Sequence, residues 1–126
     1  MVFPRLVLAA AATLFAAFGA AFAAFPHRLA ALVDISLPTN TATVDFIATY
    51  GGFEIGFAVF LFKCLMRPGR VRLGLHASGC AVAGFAIARA SALLVFGGAK
   101  PVMYGALAFE TVCAALAFFS ASAARD

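Results

Sequence analysis

The chain has 126 residues, 65% hydrophobic and only 11% charged, with a mean hydropathy of +1.07. A soluble domain carries about a quarter charged residues, so the polar side chains here are too few to cover a surface facing water. The net charge of +4 comes from basic residues scattered at the ends of apolar runs, with no basic stripe interleaved with aromatics, and nucleic acid is set aside as a partner.

Four apolar segments follow in chain order, each long enough to cross a bilayer as a helix, which satisfies its own backbone where no water can. The first runs from Leu6 to Phe25 and carries Phe15, Phe18, Phe22 and Phe25 at helical spacing, an aromatic packing stripe. Arg5 ahead of it and the small residues at its end also suit a secretory signal, but a core of about twenty apolar residues is longer than such a signal needs, and the segment is read as a span. The connection 26–43 is the longest; its first half suits a short interfacial helix, and "PTNT" supplies turn and cap residues.

The second span runs from Val44 to Leu65 and ends at the basic cluster "KCLMRPGRVR"; the third runs from Leu73 to Phe96 and is closed by "GGAKP"; the fourth runs from Val102 to Ala121. Short connections around the third make its neighbours antiparallel. The expected fold is therefore all-α, one domain over residues 1–126, an antiparallel up-down four-helix bundle in a membrane. Arg5, Lys63, Arg67, Arg70, Arg72 and Arg125 fall on one side, against Arg28 and Lys100 on the other, which predicts that both termini are cytoplasmic and that loop 26–43 is outside. Three cysteines, Cys64, Cys80 and Cys113, are odd in number and apolar in context, and read as small buried hydrophobes, not a disulfide framework.

Three charges interrupt the spans: Glu54 in "TYGGFEIGFAVFLF", Arg89 in the third and Glu110 in the fourth. Each costs about 2.5 to 3.5 kcal/mol at a helix centre. Helical rise puts Glu54 about 15 Å, Glu110 about 13 Å and Arg89 about 10 Å from the outer ends of their spans. The arginine is long enough to bridge the difference, and its fork can hold one carboxylate or touch two. Glu54, Arg89 and Glu110 are therefore expected to meet in one buried cluster, with the Tyr50 hydroxyl one turn from Glu54. Two carboxylates against one guanidinium predict that one glutamate binds its proton near neutral pH. Ala48, Gly52 and Gly56 at spacing four predict a close-packing helix face, and Ala106, Cys113, Ala114 and Ala117 place small residues around Glu110.

Other chemistry is thin. His76 and Cys80 lie one turn apart with Cys64 at similar depth, but no fourth ligand or paired cysteine motif completes a metal site. "GGAK" lacks phosphate-loop spacing, no serine has a triad around it, and no cofactor motif is found.

"ATYGGFEIGFAVFL", the arginine of "AGFAIARASALL" and the acid of "LAFETVCAALAF" together resemble the domain of unknown function 4345 family, small bacterial four-span membrane proteins. The resemblance covers nearly the whole chain. It implies the bundle architecture and a bacterial inner membrane. The resemblance implies a pattern in which many members have a basic residue about three positions before the tyrosine, where this chain has Ile47. The buried charges can fix helix register, form a ligand site in the outer half, or relay protons. The functional expectation is a non-enzymatic module that binds membrane lipid or another small hydrophobic molecule, or an accessory subunit of a larger membrane protein or homo-oligomer; the alternative is a small lipid-modifying enzyme with a buried glutamate as general acid or base.

Overall fold

A chain surrounded by lipid must satisfy its backbone within helices, and residues 2–124, which the computed structural model describes, are organised accordingly. Helix α1 covers Val2–Ala24 and the short α2 covers Pro26–Leu32. After a loop, α3 (Asn40–Phe46) passes through a π-helical turn (Ile47–Gly52) into α4 (Phe53–Leu65) without a break in the helical path. A 3₁₀ turn at Pro68–Arg70 leads into α5 (Val71–Phe96), and α6 spans Pro101–Ala123. Four helical stretches, Val2–Ala24, Asn40–Leu65, Pro68–Phe96 and Pro101–Ala123, are long and apolar enough to cross a membrane, the pattern of a multi-pass membrane protein.

The helix ends follow local chemistry. The Thr39 hydroxyl accepts from the Ala42 amide at 3.1 Å, so helix begins at Asn40, ahead of the hydropathic boundary at Val44. Gly97 and Gly98 both adopt φ of 59°, a left-handed geometry that glycine enters freely, and they turn the chain between α5 and α6. Within the helices, Ser78, Ser91, Thr111 and Ser122 each donate back to a carbonyl of the preceding turn, which leaves no hydroxyl hydrogen of theirs facing lipid unpaired.

The main core sits at one end. Leu8 and Ala12 from α1, Leu61 and Cys64 from α4, Val71 and Leu75 from α5, and Ala121 with Ala124 form one buried cluster. Arg5 locks this closed end by donating from Nη2 to the Leu65 carbonyl at 3.1 Å. Beyond Gly79 no residue of α5 is fully buried, and none of α6 before Ala114 is. The α1–α4 pair, by contrast, stays tight: a Cβ on Gly19 would lie 2.9 Å from the Gly51 carbonyl oxygen and 2.8 Å from Ile55 Cγ1, while one on Gly51 would lie 3.0 Å from Ala23 Cβ. Missing side chains let these two backbones touch. The bundle is thus closed at one end and open at the other, where Asp34 of loop 26–43 and Lys100 of the α5–α6 turn form an ion pair.

Two sequence expectations are corrected. The close-packing face is not Ala48, Gly52 and Gly56, all of which are exposed; a Cβ on Gly56 would meet nothing within 4 Å. Ala58 and Leu61 are buried, and Gly52 and Gly56 lie about 160° around the helix from Glu54, which shares the Ala58–Leu61 face. The π turn, with its wider ladder, also breaks the spacing-four alignment with Ala48. Of the cysteines, only Cys64 is buried, whereas Cys80 is exposed and Cys113 half-buried. Arg125, counted in the charge asymmetry, lies outside the described residues.

A candidate polar site at the open end

Arg89 and Glu110 face each other across the α5–α6 turn. Seven residues separate Arg89 from the end of α5 and nine separate Glu110 from the start of α6, so the two stand at nearly one level, within the reach of an arginine stem. Nε donates to Oε2 at 2.9 Å and Nη2 to Oε1 at 2.7 Å, a two-point fork on one carboxylate. The third nitrogen, Nη1, points at Met103 Sδ, 3.2 Å away. All three guanidinium nitrogens thereby find a partner within the same hairpin.

Glu54 is not a member of this pair. Its carboxyl belongs to the α4 face that carries Ala58 and Leu61, and it enters neither ion pair formed among the described residues. Oε2 is sealed from outside and has no hydrogen-bond partner among the described residues; the other oxygen is reachable. The three-membered Glu–Arg–Glu cluster therefore reduces to a pair and a separate acid. The helical path starts at Asn40, about four residues or 6 Å of rise before Val44, so Glu54 is further from its helix start than a start at Val44 implies.

Tyr50, in the π turn, is 39% exposed, not buried as the sequence suggests. Its ring lies 4.6 Å from that of Phe46 and 5.6 Å from that of Phe22, centroid to centroid, which anchors it against the α1–α4 side of the open end. A groove of about 360 Å³ runs from Ile35 and Leu37 past Asp45 to Thr49 and Tyr50.

With this geometry in hand, comparison with known families is decisive for kinship: the model of DUF4345, a domain of unknown function, matches residues 3–121. The chain belongs to the DUF4345 family. No curated protein and no solved structure matches it. Among the described residues of this DUF4345 chain no three His, Cys, Asp or Glu side chains gather, and His76 Nδ1 lies 2.9 Å from the Arg72 carbonyl oxygen, a contact in which only the ring N–H can donate.

Sequence reasoning missed the π turn and Met103. The signal for the first is weak: "YGG" places two low-propensity residues in succession, where α1 presses against the backbone. No spacing rule points to Met103, which a search of residues facing Arg89 across the Gly97–Gly98 turn would have found.

Proposed function

We propose that this chain is a non-enzymatic membrane module that binds a lipid-like or small hydrophobic molecule bearing a polar group, held at the open end between Tyr50, Glu54 and the Arg89–Glu110 pair. The observation that carries this reading is Glu54 itself. A buried carboxyl oxygen without a partner costs about 1 to 3 kcal/mol, and in lipid no water offsets it. A ligand that donates a hydrogen bond to the reachable oxygen offsets part of that cost, and its apolar body would lie along the loosely packed outer halves of α5 and α6.

In this reading the four helices run up and down in antiparallel order in a bacterial inner membrane, with the closed end and both termini cytoplasmic. The excess of lysine and arginine at the closed end supports that orientation. A second reading, an accessory subunit, draws on the same loosened half: Leu94, Val95 and Phe96 are 88%, 75% and 84% exposed, a face that a larger membrane protein or a second copy could cover as well as lipid.

The test is purification from membranes in mild detergent, followed by native mass spectrometry and extraction of bound molecules. The ligand reading expects a retained amphiphile in the wild type and about tenfold weaker retention in Glu54→Leu, the loss of one hydrogen bond in an apolar setting. Equal retention by both proteins contradicts it. A single dominant protein partner in place of a small molecule favours the subunit reading.

A further inference from the structure

The closed end carries a feature independent of Glu54. Lys63, Met66, Arg67 and Arg70 line one groove of about 390 Å³ where α4 hands over to the 3₁₀ turn. Arg72 follows two residues beyond the turn, and Arg5 is already committed to the Leu65 carbonyl. No acid balances these cations among the described residues. Asp34 and Asp45 belong to the other end, Glu54 and Glu110 lie inside spans, Asp126 lies outside the described residues, and the two ion pairs formed among the described residues use Arg89 and Lys100.

We infer that this groove is a binding site for the phosphate of an anionic phospholipid headgroup in the leaflet around the closed end. Membrane topology requires cations on that side, but it does not require three of them to converge on one depression. Like charges gathered in one groove repel, and a phosphodiester relieves that repulsion while offering several acceptor oxygens to two guanidinium forks and an ammonium. The position suits a lipid. The groove opens where the apolar run of α4 ends at Leu65, the level at which headgroups sit, and Met66, 78% exposed, gives the acyl side an apolar contact. The inference rests on the helices crossing a membrane, not on a ligand at the open end.

The full chain in detergent, titrated with phosphatidylglycerol or with phosphatidylcholine and read by native mass spectrometry, tests it. Three converging cations predict a preference of about a hundredfold for phosphatidylglycerol. The Arg67→Gln, Arg70→Gln double variant should lose about tenfold or more of that preference, and Lys63→Gln alone should lose part of it. Arg28→Gln, a cation at the other end, should change nothing. Equal binding of the two lipids, or an unchanged preference in a folded double variant, overturns the site. Displacement of phosphatidylglycerol by millimolar inorganic phosphate would show a free-anion site and overturn the assignment to lipid.

Discussion

Arg89 holds Glu110 at two points, Nε to Oε2 at 2.9 Å and Nη2 to Oε1 at 2.7 Å, so the guanidinium in the open-end half of α5 is held by the acid of the next helix. Glu54 is left without a cation. From that separation the three intramembrane charges acquire different roles: two secure the α5–α6 hairpin, and the third is free to meet something else.

Breaking the pair should be costly. Arg89→Gln or Glu110→Gln leaves one charge unpaired, at about 3 kcal/mol each, the lower end for a buried pair because the side chains remain 25% and 14% exposed. The double variant should be less destabilised than the sum of the singles. A double-mutant cycle from reversible unfolding in detergent measures the coupling, and additive losses would show that the pair does not act as a unit.

Glu54 should behave in the opposite way. Glu54→Leu removes an unsatisfied buried oxygen and replaces it with a side chain suited to lipid, so ligand-stripped protein should gain about 1 to 3 kcal/mol. Glu54→Gln should lie close to wild type, since no cation depends on the charge. Thermal unfolding of stripped protein checks both, and a loss comparable to that of Arg89→Gln would mean that Glu54 has a partner within the fold.

The α1–α4 contact tolerates no added methyl at its centre. Gly19→Ala would push Cβ to 2.9 Å from the Gly51 carbonyl oxygen and the Ile55 nitrogen, overpacking that costs about 1 to 3 kcal/mol. Gly56→Ala, with open space around it, should be neutral or slightly stabilising through helix propensity. Melting temperatures of the two variants, measured side by side, distinguish this face from the one that spacing alone suggests.

Thr39→Ala should fray the start of the second long helix, at about 1 kcal/mol for a lost cap. Amide hydrogen exchange at Ala42 and Thr43 reads this directly; unchanged protection there would show that the cap is redundant.

How far the sequence reaches is clear from these same residues. Charges embedded in apolar runs identify themselves, and the level shared by Arg89 and Glu110 follows from counting helical rise outward from the "GG" turn. The separation of Glu54 does not follow, because nothing in the spacing says whether Arg89 gives its fork to one carboxylate or touches two. Nor does spacing reveal which glycines touch another helix: Gly51 and Gly52 are neighbours in sequence, and only the direction in which α1 approaches decides that the first is buried and the second open.

The central claim is that Glu54 is partnered by a bound molecule and not by the protein, and an experimental density map of the chain purified from its native membrane tests it most directly. The account predicts non-protein density within hydrogen-bonding distance of the Glu54 carboxyl, extending between Tyr50 and the Arg89–Glu110 pair. A map in which that space is closed by side chains, with Glu54 bonded to Arg89, would contradict it.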